Sequence, residues 1–464
     1  MADNIVSSEQ IDIYEISIGS ERFKDNKKLM LAGKENATSV VSELVIYENL
    51  YMPYLTGSLL LVDDNDLVRI VGLKGTERLY VSFKTPESTH LIEKVFVISS
   101  ITRQYKVNEN RSLLVLELIE QHGFFNELEV INKSYNGNSI EIVEKILEDN
   151  TAISLSEYSK YKVPEMLNGY MRYIVPWQTP YAAIQTVLNF SYTDNAMPYF
   201  LHSALTTDGL VLRDLETILE SEAFNENLRP FIYSQAAANA ASNEFIDTIF
   251  TIQSMDASEM SDTLDLVKRG AISSSFETIE TTSGNVSNIN SIRMFDELES
   301  LINDNIIKNA NSQTLFIDEK FNDTYNNNRD GTKNKSINDY MSTRIALLSN
   351  QPYDNAAGLA SSPLSVKKNI VKNNYLKHLA NDCIDIVVSG FPFGVRKSDR
   401  TVGNKIKIVI LKEGGSENDD VIDYKKSGDY IMLAKKHVFN IKSETHNVVI
   451  KAGRLTEPVQ PRGE

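Results

Sequence analysis

Among 464 residues the sequence has one cysteine, Cys383, one tryptophan, Trp177, and six histidines. A lone thiol excludes an intrachain disulfide framework and every metal site built from several cysteines. The histidines, His90, His122, His202, His378, His437 and His446, show no His-Glu-x-x-His or comparable spacing, so a zinc centre would need ligands gathered entirely by the fold. No Gly-x-Ser-x-Gly elbow or Gly-x-x-x-x-Gly-Lys-Ser/Thr loop occurs, and the Gly72 and Gly75 pair has no helix pattern behind it. Phosphate cradling and serine-hydrolase chemistry are therefore unsupported. Lysine and arginine number 47 against 63 acidic side chains, a net charge of -16, which argues against a whole-protein nucleic-acid footprint. No apolar run approaches the roughly 18 residues of a membrane span, and the N-terminal residues lack a basic stretch followed by an apolar core. The chain is expected to be made in the cytoplasm and to be soluble.

What is present is alternation. The length predicts two to four folding units. From Ile11 to Glu120 the pattern has a period of two: Val95, Val97, Ser99, Ile101, Arg103, Tyr105 and Val107 are expected on one strand face, then a turn at Asn108-Glu109-Asn110, then Leu114, Leu116 and Leu118. The run from Leu44 to Val62 is extended, Leu79–Phe83 resumes strand character, and Ile11 and Ile13 are out of phase with Ile16 and Ile18, which predicts a bulge at Tyr14-Glu15. Residues 1–122 read as an antiparallel β domain. In 123–235 the character is mixed α+β: Asn138 caps a helix with Glu141 at its third position, Thr179-Pro180 start another, and Gly209 turns a hairpin. Strand signals return in 244–284 and 380–455, read together as a second, discontinuous β block. Between them, 285–379 is Asn-rich with a helix near 365–380 and is expected to pack with 123–235. Residues 456–464 read as a polar tail. The fold class is mainly β with α+β insertions.

No catalytic constellation emerges. Asn326, Asn328, Asp330 and Gly331 mimic half of a calcium loop, but Ile337 stands where a bidentate Glu is needed. Asp63-Asp64 and Asp419-Asp420 fall in turn contexts and read as solvated. Trp177 reads as a core anchor, His437 as a half-buried structural residue, and Cys383, opening a strand without a basic neighbour, as a small buried hydrophobe. No catalytic, cofactor or metal residue is assigned, and the chain is expected not to be an enzyme.

The stretch Glu48-Asn49-Leu50-Tyr51-Met52-Pro53-Tyr54-Leu55-Thr56-Gly57-Ser58-Leu59-Leu60-Leu61-Val62-Asp63, followed by Leu73-Lys74-Gly75-Thr76-Glu77-Arg78-Leu79, resembles the first barrel of central baseplate hub proteins of contractile-tailed (T-even-like) bacteriophages. Ile174–Tyr181, Asp262–Gly284, and Ser427-Gly428-Asp429-Tyr430-Ile431-Met432 with the strand around Val449 are similar to later parts of that family. The resemblance implies two tail-tube-like antiparallel β-barrels plus a mixed α/β peripheral domain. It implies a non-enzymatic structural virion protein, a homotrimer that adapts a hexameric tail tube to a trimeric central spike. Implied partners are the tail tube protein, the spike protein, baseplate wedge proteins, and DNA as transiting cargo; the implied location is the tail baseplate, with assembly in the host cytoplasm. A tail-associated carbohydrate-binding adhesin or cell-wall hydrolase is the alternative. Read as a long edge strand, 44–62 would invite uncontrolled pairing unless covered by a neighbouring subunit or the tube. Leu44, Ile46, Tyr47, Tyr51, Tyr54, Leu59 and Leu61 are the expected interface residues.

Overall fold

Strand alternation in the first 120 residues builds one curled β block, and a second block assembled from distant segments is sewn to it. The computed structural model describes residues 9–20, 28–34, 40–63, 72–86, 88–108, 111–163, 170–233, 248–256, 262–280, 283–287, 290–307, 312–314, 337–348, 362–412 and 422–458. The expected turns at 64–66, 109–110 and 419–420, the calcium-like residues 326–331 and most of the tail lie outside these. Thirteen strands join in one sheet. Seven are N-terminal: β1 (Asp12–Gly19), β2 (Leu29–Gly33), β3 (Val41–Asn49), β4 (Thr56–Asp63), β5 (Arg78–Lys84), β6 (Ile92–Asn108) and β7 (Arg111–Glu120). Six follow: β8 (Phe231–Tyr233), β9 (Ser254–Asp256), β10 (Cys383–Ser389), β11 (Lys405–Ile410), β12 (Gly428–Asn440) and β13 (Thr445–Gly453). The hydrogen-bonded order is β2-β1-β5-β6-β7-β4-β3-β12-β13-β10-β9, with β11 on β12 and β8 on β11.

Both blocks curl back on themselves. A backbone hydrogen bond from Val40 to the Leu31 carbonyl brings the far side of β2 to the start of β3. In the second block, β8 is bonded to β11 on one side and exchanges bonds with Phe250 and Ile252 on the other, and Gln253 goes on to bond Val387 of β10. Each interior is an apolar core: Ile16, Ile46, Leu59, Leu61, Leu79, Phe96, Leu116 and Phe439 fill the first, and Phe231, Ile386, Phe393, Ile408, Tyr430 and Ile450 fill the second. The bulge near Tyr14 is present, as a register shift between Ile13 and Glu15. In β6 Phe96 and Ile98 point into the core while Ser99 is exposed, and three register shifts along β6–β7 break the single face expected for Val95 to Val107.

The blocks meet on β12. Its first residues, 428–431, pair with β11, and after an irregularity at Leu433 residues 434–440 pair with β3. A bulge re-aims a strand, and here it hands β12 from one block to the other. The expected edge strand 44–62 is therefore no edge: β3 is bonded to β12 and β4, and β4 to β7. The chain covers this segment itself.

The mixed region holds the expected helices. Ser139–Asn150 begins with a reciprocal capping box between Asn138 and Glu141, and Pro180–Phe190 begins with proline after Thr179. Ser273–Glu280, expected in the second β block, instead forms a separate three-stranded sheet with Asn290–Arg293 and Ser342–Leu348. Its Phe276 packs with Met294 and Leu298 of the helix Met294–Asn303, with Tyr375 and Leu379 of the helix Pro363–Asn381, and with Met197 and Ile218. Lys372, buried on that last helix, donates to the Asn189 carbonyl at the end of Pro180–Phe190, and burial pulls its ammonium down to about 8.

Candidate functional site

The polar groups of greatest chemical interest lie inside the seam. On β3, Glu48 follows Leu44 and Ile46 in the inward phase; on β12, Lys435 and His437 precede Phe439 in theirs. Strand pairing sets Glu48 opposite Lys435, with Lys435 Nζ 2.8 Å from Oε2 and His437 Nε2 3.3 Å from Oε1, every side chain fully buried. The Leu205 amide donates to the same carboxylate at 2.8 Å, and Lys435 also donates to the Arg400 carbonyl at 2.9 Å. His437 Nδ1 lies 3.0 Å from His446 Nε2, and His446 stacks on Phe439. Burial works against a charged Glu48, but Lys435 and His437 outweigh it and hold its carboxyl well below the usual carboxylate range. Burial keeps His437 and His446 below the ordinary histidine value, and it lowers the Lys435 ammonium too, against the opposing pull of Glu48. His202, also fully buried, is pushed down to about 3 by burial and by Arg213, and neither ring nitrogen has a hydrogen-bond partner among the described residues.

A second buried carboxylate fastens the mixed region to the first block. Glu120, ending β7, accepts from Lys94 at 3.1 Å, from the Leu55 amide at 2.9 Å and from Ser203 Oγ at 2.7 Å, with His122 Nε2 3.0 Å away. Serine, histidine and a carboxylate thus meet, but not as a catalytic triad: Ser203 donates to the carboxylate, while His122 Nδ1 is taken by the Tyr181 hydroxyl at 2.7 Å. A nucleophile needs its base within hydrogen-bond reach, and this serine is bonded to the wrong partner. Cys383 is buried, its Sγ 3.3 Å from the Leu379 carbonyl, as expected of a small hydrophobe. Among the described residues no group of three or more His, Cys, Asp or Glu side chains could hold a metal ion. A cleft of about 190 Å³ between Leu219, Ile307, Ile431 and Leu455 is below the size of ordinary ligand pockets.

The expected interface residues divide. Leu44, Ile46, Leu59 and Leu61 are buried in the first block's own core and cannot meet a partner, because their phase on β3 and β4 faces the inside of the curl. Tyr47 and Tyr51 are exposed, and Tyr54 is half-buried against Tyr181. His437 is fully buried rather than half-buried. Trp177 is no core anchor: it is 73% exposed, because after the strand Tyr170–Ile174 the backbone bends at Trp177 itself, with φ 51°, before the next helix. The seam went unseen in the sequence because its two halves lie at opposite ends of the chain; the available signal was a charged residue occupying the inward phase of each strand.

No protein-family profile and no curated protein sequence matches the chain. In fold it is similar to a tail protein from Neisseria meningitidis, with TM-score 0.49, 11% identity and coverage of 96% of each chain. It is also similar to a 43 kDa prophage tail protein from Shewanella oneidensis, with TM-score 0.48, 8% identity and coverage of 95% of this chain and 98% of that one. A component of the E. coli type VI secretion system, itself described as structurally similar to bacteriophage T4 tail proteins, gives TM-score 0.40 at 8% identity over 91% and 76%.

Proposed function

We propose that the chain is a structural protein of a phage tail, a baseplate hub that assembles as a homotrimer and adapts a sixfold tube to a threefold spike. The observation that carries this reading is the sharing of β12: one chain holds two curled β blocks side by side, joined by strand pairing. Three such chains would present six blocks around a ring, which is what a junction between sixfold and threefold assemblies requires. The sequence stretch that resembles hub proteins, Glu48–Asp63, falls at that junction, at the end of β3 and along β4. On this reading 1–122 and the second block are similar units, the exposed Tyr47 and Tyr51 face a neighbouring subunit or the tube, and the net charge of -16 lets DNA pass without sticking. The partners would be the tube protein, the spike protein and baseplate wedge proteins, and the place of action the virion tail.

Native mass measurement of the purified chain, alone and mixed with a phage tail tube protein and a spike protein, tests the proposal. Three copies of a 52.3 kDa chain give about 157 kDa. A species of that mass, alone or capped by either partner, is the expected result. A chain that stays monomeric with both partners present would overturn it.

A further inference from the structure

An apolar surface lies on the mixed region, beginning on the helix Gln121–Leu128 that follows β7. A bridge between Ile131 and Gln178 and the pairing of Ser134 with Ile174 run two extended segments side by side. Ile131, Tyr135 and Tyr173 point into the core, so the alternation turns Val130 and Ile174 to the opposite, outward side; Trp177, which shares the phase of Tyr173 and Val175, is turned outward by its own left-handed backbone. The helix Gln121–Leu128 leads into this segment and adds Phe125 and Leu128, the latter 68% exposed. All five are large apolar side chains left about half exposed or more, and apolar residues gathered on a surface mark an interaction site. Trp177 holds a left-handed φ that bulky residues rarely adopt, and strain of this kind persists where the surroundings impose it. Here it turns the sequence's only tryptophan out of the core it was expected to anchor. Tryptophan is the residue most enriched at the energetic centres of protein interfaces.

The charges around the patch narrow the occupant. Glu127 and Glu129 bracket Leu128 and are both exposed. The nearby Lys133 is spent on Asp149, at 2.5 Å, and Arg172 lies at the far end beyond Ile174. We propose that the Phe125–Leu128–Val130–Ile174–Trp177 surface is a docking site for an amphipathic helix of a partner protein, whose apolar ridge covers Trp177 and whose lysines or arginines meet Glu127 and Glu129. The net charge of -16 disfavours a second copy of this chain as the occupant. The site belongs to the mixed region and does not rest on the hub reading.

Because Trp177 is the sole tryptophan, its fluorescence reports on this site alone. The probe is an 18-residue helical peptide of leucine and lysine with the leucines on one face, compared with the same pattern in leucine and glutamate. The lysine peptide should shift Trp177 emission to shorter wavelength and cut its quenching by acrylamide several-fold. The glutamate peptide should bind at least tenfold more weakly. Leu128→Glu, at an exposed position, should raise the Kd for the lysine peptide at least tenfold without changing the melting temperature, and Phe125→Ser should act in the same direction. No emission shift, equal binding of both peptides, or unchanged binding to Leu128→Glu would overturn the proposal. An emission shift that follows protein concentration alone, with a doubled mass, would give the surface to a second copy and overturn it as well.

Discussion

Glu48 and Lys435 face each other across the strand pair that joins the two β blocks, 2.8 Å apart and without solvent exposure. Removing one partner of such a pair leaves the other charge buried alone, at a cost of about 3–5 kcal/mol, whereas replacing both by apolar groups of similar volume is often neutral. Glu48→Gln and Lys435→Met are each expected to lower stability by that amount, and the Glu48→Leu, Lys435→Met double variant to recover most of it. Denaturant unfolding of the four proteins checks this; additive losses in the double variant would contradict it.

Acid should loosen the same seam. His437, His446, His202 and His378 are all held below the ordinary histidine value, chiefly by burial, His202 at about 3 and His378 at about 4. Below roughly pH 6.5 the unfolded chain takes up protons that the folded chain refuses. Stability is therefore complete above that pH and falls as pH drops, by on the order of 1 kcal/mol for each of His202 and His378 over the first unit, with His437 and His446 acting in the same direction. The depressed carboxyls of Glu48 and Glu120 add a second loss only below the usual carboxylate range, near 4.5. Melting temperature measured from pH 8 to 4 should be level at first and then decline from about pH 6.5; a flat profile down to pH 5 would show that these histidines protonate in place.

Gly57 on β4 stands where a Cβ would come within 2.4 Å of the Val45 carbonyl on β3. A side chain there must push two paired strands apart, so Gly57→Ala should cost about 1–3 kcal/mol. Thermal melting reads it, and an unchanged midpoint would mean that the strands yield freely.

Cys383 should resist thiol reagents in the folded chain and react fully once denatured, since its sulfur is buried against the Leu379 carbonyl. Fast labelling of the native protein would place it in an opening the fold does not show.

Local patterns were readable from the residues. The Asn138–Glu141 capping box, the Thr179-Pro180 helix start, the Gly209 hairpin and the bulge beside Tyr14 all follow from chemistry within a few positions of the chain. Errors arose where distant partners decide. Leu44, Ile46, Leu59 and Leu61 read as an edge because β12, which pairs with β3, comes far later in the sequence. Ser273–Glu280 had strand composition, which says nothing of which sheet it joins, and β6 changed phase through bulges that leave alternation without a fixed face. Trp177 shows the same limit: apolar character argues for burial, and only the backbone turn after Pro176 reveals that it points outward.

The pairing of β3 with β12 also sets a timetable for synthesis. The N-terminal block can gather its own seven strands as soon as residue 120 has left the ribosome, yet one side of β3 then stays open until the segment reaching Asn440 has been made. At about 5–20 residues per second that wait is some tens of seconds, during which an unpaired strand and a buried-type carboxylate, Glu48, face the crowded interior of the cell. A nascent chain in that state is a client for whatever shields exposed strand edges, and its final stitch is a late, long-range closure of the kind that folds slowly.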